Sequence, residues 1–509
     1  MTTKTIGISG LAVHLPPFRV ELEDWCEWTG NHWDKIRHVV GRSFRMRGAQ
    51  HNMYTMAANA VLRLIDNYGV DPRRVKFLGL GTESSTDNSA GAVIVKGMVD
   101  DALRQQGKPV LARQCEVPEF KHACLGGVYG MKAALRYLAC DGADSQAIVV
   151  SADIAEYARG SSGEPTQGAG AVAMLLEEDP KLLEVDLAGS GSASDYRGID
   201  FRKPMTRFCH QRPRANGQIQ DLPVFNGKYS TTCYVDETLH ALDDMLSKRE
   251  LEAGMYFRDV AAVFMHRPYR RMPETGWAFG YLYALARGNA EDVAELAEYC
   301  ATAGVELDAV LEEMGASPNV AALVAHERLS DEAYPLGMGV LKAFRGSEAY
   351  KRVVEAKMEL GSDAMMDLGN LYTAALPAWM AAGLDEALEK GIELEGAEIM
   401  TLGYGSGDAA DATPMRVCAG WREAAARIRF ADALEPVVSL TQHQYESLHD
   451  HGDVEGLSYE AKGEFVVDHV GDRQEKHFED TGIEYYRFVR DRAASGPAPT
   501  ARPQMDKTA

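Results

Sequence analysis

No stretch of the 509 residues approaches the roughly 18 consecutive apolar positions that a membrane-crossing helix requires, so no span is expected. Cysteine is sparse: eight residues stand at 26, 115, 124, 140, 209, 233, 300 and 418, with no C-x-x-C pair and no zinc-type ligand spacing. Scattered cysteines in a large acidic chain predict reduced thiols and a cytoplasmic setting. Positive charge is also short, 53 Lys and Arg against 75 Asp and Glu for a net charge of −22. That balance argues against general binding of nucleic acid or anionic membrane, both of which require a positive field. It leaves room for an anionic small molecule, because a few local arginines outweigh a distant, screened field. Met1 to Leu11 carries no basic flank leading into a long apolar run, so no secretory leader is expected.

Hydrophobic residues make up 46% and charged residues 25%, ordinary values for a globular chain with one large core or two adjoining ones. Short β-rich runs alternate with longer helical patterns, the signature of an α/β protein. Strands are predicted at 5–11, 75–80, 147–151, 171–176, 259–265 and 397–402, and helices at 53–65, 90–105, 124–140, 235–249 and 373–388. Residues 290–333 are acidic, helical in pattern and poor in strand signals. From Ala493 onward the Pro/Ala-rich tail predicts disorder.

Four candidate sites carry chemistry, the fourth built from a pair of segments, and each lies where a strand ends or a helix begins. In Phe120-Lys-His-Ala-Cys124-Leu-Gly-Gly127 a cysteine falls at the expected first turn of a helix, where the dipole favours thiolate and small neighbours admit a thioester. Taken alone, Cys124 also fits a packing cysteine on an apolar helix. Leu80-Gly-Thr-Glu83-Ser-Ser-Thr-Asp87 puts a carboxylate at a strand's carboxyl end, placed as a general base or as a solvated loop acid. In Val263-Phe-Met-His266-Arg-Pro-Tyr269 a histidine directly follows a strand, suited to catalysis or to a structural hydrogen bond. Asp367-Leu-Gly-Asn370-Leu-Tyr-Thr373 and Leu402-Gly-Tyr-Gly-Ser-Gly407 offer an amide and a glycine turn for a developing oxyanion, or simple turn chemistry.

In this order and spacing the segments resemble the HMG-CoA synthase family of the thiolase superfamily. Its glutamate lies in a G-T-E-S-type loop, its cysteine in an A-C-x-G-G helix start and its histidine in H-x-P-Y. Its asparagine lies in G-N-x-Y-T, and a Y-G-S-G turn follows. The segments 152–157, 163–168, 200–204 and 223–230 agree as well, so the resemblance covers roughly residues 5 to 410. It implies a thiolase-like fold: two similar halves, each a mixed sheet packed between helices (layered αβαβα). Residues 1–185 would hold Glu83 and Cys124, and 186–430 His266 and Asn370 with a helical insertion near 285–345. A continuation at 431–492 and a tail at 493–509 would follow.

The resemblance implies acetyl transfer from acetyl-CoA to Cys124, removal of a methyl proton by Glu83, and attack of the enolate on acetoacetyl-CoA. His266 would polarise or protonate the ketone oxygen and Asn370 would orient it. Tyr157, Gly168, Tyr234, Tyr404, Gly405, Ser406, Arg270 and Arg271 would bind substrate. No metal and no cofactor beyond the CoA thioesters is implied, and a homodimer in mevalonate-type isoprenoid synthesis is. Glu83 separates this reading from ketoacyl synthases, which lack it, and Cys418 does not fit the thiolases' second-cysteine motif. Two departures stand out. Leu125 replaces the tyrosine that usually follows the cysteine, which would remove a phenol near the acyl group, so that Leu125→Tyr would raise turnover. The segment after His266 is rich in arginine (267, 270 and 271), as is the stretch containing Lys35, Arg37, Arg42, Arg45 and Arg47, where the family meets CoA. Alternatives are a relative acting on carrier-protein-bound substrates, as in polyketide β-branching, or a non-catalytic acyl-binding paralogue.

Overall fold

Ile6–His14 is buried along its whole length, as a strand covered on both faces must be. In the computed structural model, which describes residues 5–85, 88–205, 222–316, 318–457 and 459–491, this strand lies inside a ten-stranded mixed sheet. On one side follow Gly168–Glu178 and Gln146–Ala155, both antiparallel steps, then Val75–Gly81 and the short Glu119–Phe120 in parallel. On the other side Leu183–Val185 pairs antiparallel both with Ile6–His14 and with Ala409–Val417. Ala409–Val417 continues antiparallel to Glu398–Gly405, which runs parallel to Ala262–Met265. In place of one mixed sheet per half there is a single continuous sheet, in which the three residues Leu183–Val185 join the strands of the first half to those of the second.

Alternation of side chains along the strands builds the layers. Phe77 and Val149 pack into the same core as the helix Gly126–Ala139, whereas Leu78, Leu80, Ile148 and Val150 pack with Met53–Tyr68 and Gly91–Gln105. Met53–Tyr68 begins with a capping box, the Asn52 side chain accepting from the Thr55 N–H (2.9 Å) while the Thr55 hydroxyl accepts from the Asn52 N–H (3.0 Å). In the second half Gly227–Lys248, Arg271–Ala286 and Ala375–Glu389 cover the strands and join the core of the cysteine helix. The acidic stretch folds as the helices Ala290–Ala303, Leu307–Gly315, Ala321–Ala325 and Pro335–Phe344.

Some boundaries differ from expectation. Asp259 ends the helix Ala253–Asp259, and the strand after it starts at Ala262. Beyond residue 430 the chain returns to the first half. Val438–Ser439 pairs in parallel with the Phe18–Glu21 strand, and the hairpin Glu464–Val470/Glu484–Val489 drives Phe465 and Phe488 into the core under Met53–Tyr68. Among the described residues no helix is long and apolar enough to cross a membrane. The 493–509 tail and Cys209 lie outside the described residues.

Candidate active site

Glycine contacts bring the first two candidate groups together. A Cβ on Gly81, the last residue of its strand, would fall 2.4 Å from the Gly127 nitrogen, and one on Gly127 would fall 2.0 Å from Ser151 Oγ. Only bare backbone allows the strand end and the helix start to approach so closely. Just before the cysteine, Ala123 takes a left-handed φ of 40°, a conformation unfavourable for a residue with a Cβ and characteristic of functional sites. Cys124 Sγ then lies 3.6 Å from Glu83 Oε2 and donates to it.

This neighbourhood corrects the expected thiolate. The helix begins at Gly126, two residues beyond Cys124, and the thiol is buried against a carboxylate. Burial, then the charges of Glu83 and Asp153, push the Cys124 thiol well above its ordinary value. Burial, with Asp153 second, pushes the Glu83 carboxyl up to about 8, with Lys203 and the Cys124 hydrogen bond opposing. The resting pair therefore holds its protons, with the Glu83 carboxyl 3.6 Å from the thiol.

His266 follows Ala262–Met265 directly and is buried, its N–H donating to the Leu402 carbonyl (2.8 Å) and its own carbonyl accepting from the Tyr234 hydroxyl (2.8 Å). Its ring stacks on Tyr404 with centroids 6.5 Å apart. Burial lowers its pKa to about 3, so it acts as a neutral imidazole. Asn370 Oδ1 accepts the Tyr372 N–H (2.9 Å), which turns the amide NH₂ toward the Tyr157 hydroxyl, 3.4 Å away. Gly168 packs beneath it, since a Cβ there would lie 2.4 Å from the Asn370 carbonyl oxygen.

Cys124, His266 and Asn370 line one cavity of about 390 Å³, together with Tyr157, Tyr404 and Ser406. Tyr372, Phe201 and Phe225 complete an aromatic wall, and Val39, Val40, Tyr269 and Met272 contribute further apolar surface. Tyr234 acts from behind through the His266 carbonyl, and Gly405 packs against the His122 carbonyl, where a Cβ would come within 2.5 Å. Arg270 and Arg271 do not line this cavity. They face a separate polar one of about 630 Å³, each paired with Glu274. The upstream basic stretch is largely committed to the fold. Arg42 pairs with Asp363 and Asp367, Arg45 is buried and donates to the Leu434 carbonyl, and Arg47 pairs with Glu156. Leu125 is fully buried in the core and does not line the cavity, so it cannot stand in for a phenol beside the acyl group.

Asp153 was not singled out in the sequence, yet it organises the site. Fully buried, it accepts from the Thr82 hydroxyl (2.9 Å), the Glu83 and Ser84 N–H groups (2.9 and 3.0 Å) and the Thr373 N–H (3.0 Å). The glutamate loop and the asparagine loop are thereby fixed to one carboxylate. Its sequence signals were an acid inside the apolar strand Gln146–Ala155 and its place in the matching segment 152–157.

The chain is similar to known proteins in both sequence and fold. A family model, hydroxymethylglutaryl-coenzyme A synthase N terminal, matches residues 2–181. The chain is 26% identical over 441 residues to the hydroxymethylglutaryl-CoA synthase of Haloferax volcanii, covering 84% of this chain and 88% of that protein. It is 27% identical over 420 residues to hydroxymethylglutaryl-CoA synthase A of Dictyostelium discoideum, covering 81% and 76%. The solved structure of MvaS in complex with 3-hydroxy-3-methylglutaryl coenzyme A superposes with a TM-score of 0.73 at 25% identity, covering 96% of this chain and 99% of that one. Fold, buried cysteine and facing carboxylate define an acyl-transferring enzyme of the thiolase superfamily. Within that class the chain resembles the HMG-CoA synthases, whose N-terminal family model it matches over residues 2–181.

Proposed function

We propose that this enzyme condenses acetyl-CoA with acetoacetyl-CoA to 3-hydroxy-3-methylglutaryl-CoA through an acetyl thioester on Cys124. The observation that carries the reading is the 3.6 Å approach of Cys124 Sγ to Glu83 Oε2 beside a cavity that also holds His266 and Asn370. The Cys124 thiol attacks acetyl-CoA, and its proton passes to the departing CoA sulfur. Glu83 then removes a proton from the acetyl methyl group, acidified by the thioester. The enolate carbon attacks the acceptor ketone, and the oxygen that gains charge is met by the neutral His266 ring and the Asn370 amide. Water hydrolyses the remaining thioester, releasing the product and freeing Cys124.

The family's usual setting extends the reading to a cytoplasmic homodimer serving the mevalonate route to isoprenoids, with only CoA thioesters bound. Mass spectrometry of the Cys124 peptide after incubation with acetyl-CoA tests the core of it. The acetyl label belongs on Cys124 alone, and its appearance on Cys115 or Cys233, or nowhere, would refute the mechanism.

A further inference from the structure

Asp200, in the wall of the acyl cavity, has one satisfied oxygen and one orphan. Its Oδ2 accepts from the Tyr404 hydroxyl at 2.8 Å, while its Oδ1 is buried with no hydrogen-bond partner. The neighbour is another carboxylate: an oxygen of Asp200, an oxygen of Asp408 and Cys233 Sγ all lie within 4.8 Å of one another, and all three residues are buried. Two carboxylates so placed cannot both stay ionised in a dry environment unless a cation compensates them.

The compensation is insufficient. Arg197, itself buried, reaches Asp236 at 2.5 Å, Glu237 at 3.1 Å and Asp195 at 3.2 Å, and Asp408 only at 3.4 Å. His240 stands beyond Asp236, 3.6 Å from it, and Tyr229 flanks Cys233. A proton between Asp408 and Asp200 resolves both difficulties: it supplies the donor that Asp200 Oδ1 lacks and removes one of the excess charges.

We propose that Asp408 and Asp200 share one proton in the resting enzyme, which makes Asp408 a positioning residue that holds Asp200 as the acceptor for Tyr404 and keeps a second negative charge out of the cavity wall. The consequence for catalysis rests on the acetyl transfer to Cys124 proposed above. Burial, with the Asp200 charge second, pushes Asp408 up to about 8, so the proton is held at neutral pH and lost above it. The Asp200 charge is among those that raise the Cys124 thiol. A second charge behind it makes the thiolate harder to form, and acetyl transfer weakens on the alkaline side.

Infrared spectroscopy of the protein without substrate reads the proton directly. It is done in a Glu83→Gln background, which removes the other carboxyl held near 8. A protonated-carboxyl band that shifts in D₂O is expected, fading as the pH rises through about 8 and absent once Asp408→Asn is added. Glu237, held near 7, is present in both proteins and cancels in the difference. Asp200→Asn makes the same prediction if Asp408→Asn does not fold. An unchanged band overturns the pair. With Glu83 intact, the ratio of Asp408→Asn to wild-type acetyl transfer should rise from near unity at neutral pH to about threefold or more in the alkaline range. A flat ratio overturns the positioning role. A wild type that is never acetylated would instead refute the proposed reaction, with the infrared band still deciding the pair.

Discussion

Leu125 occupies the space that a side chain at Gly403 would need: a Cβ built on Gly403 would fall 2.5 Å from Leu125 Cδ1. The leucine therefore belongs to the packing between the cysteine loop and the strand Glu398–Gly405. Leu125→Tyr adds volume to a filled core, where overpacking costs about 1–3 kcal/mol. The variant should melt lower and gain no turnover. Thermal unfolding measured beside acetyl-CoA consumption checks this, and a faster enzyme of undiminished stability would show that the tyrosine reaches the acyl group.

Replacing Glu83 separates the two stages of the reaction. Glu83→Gln should still accumulate acetyl-enzyme, while condensation with acetoacetyl-CoA falls by about 10²–10⁴-fold, the usual share of a general base. Cys124→Ala must lose both. Burst acetylation and acetoacetyl-CoA consumption on folded variants distinguish these outcomes, and near-normal condensation by Glu83→Gln would reduce Glu83 to a loop acid.

The pH dependence has a definite sign. Glu83 acts as a carboxylate and is held up to about 8, so condensation from preformed acetyl-enzyme should climb through neutral pH and level off above about 8. Stability runs the other way. Between the ordinary carboxyl pKa of 4.5 and about 8 the folded state binds the Glu83 proton more tightly than the unfolded chain does, so its contribution is full in acid and lost as the pH rises. Glu83→Gln should therefore raise the melting temperature relative to wild type at pH 8, with the gap closing toward pH 4.5. Melting curves across that range suffice, and a gap that widens in acid would contradict the assignment.

Asp153→Ala should be far more damaging than Asp153→Asn. The alanine strands the buried donors of Thr82, Glu83, Ser84 and Thr373, each at about 1–3 kcal/mol. The asparagine keeps one acceptor oxygen and removes a charge that raises Glu83, so the alkaline rise of condensation should move to lower pH. Denaturant titration with the pH–rate profile tests both, and an unmoved profile would mean that Asp153 does not act on Glu83.

The sheet strands and the four candidate groups were legible because each leaves a local trace: an apolar run, a helical period, or a motif at a strand end. Asp153 and Asp408 left little, because their meaning depends on partners far along the chain. Asp153 receives Thr373 across 220 positions. The arginines misled for the same reason. A basic stretch looks available to phosphate until the fold reveals that Arg42 and Arg47 already face carboxylates. The expected dipole effect on Cys124 failed because desolvation and Glu83, both tertiary, outweigh a helix that starts two residues late.

Leu183–Val185 is hydrogen-bonded along both edges, to Ile6–His14 and to Ala409–Val417. Parting the lobe of Cys124 from the lobe of His266 would mean tearing that backbone ladder, so the molecule does not breathe like a clam shell. The width of the cavity beside the thiol is instead set side chain by side chain, Val39, Val40, Tyr269 and Met272 among them, with the halves themselves held in register.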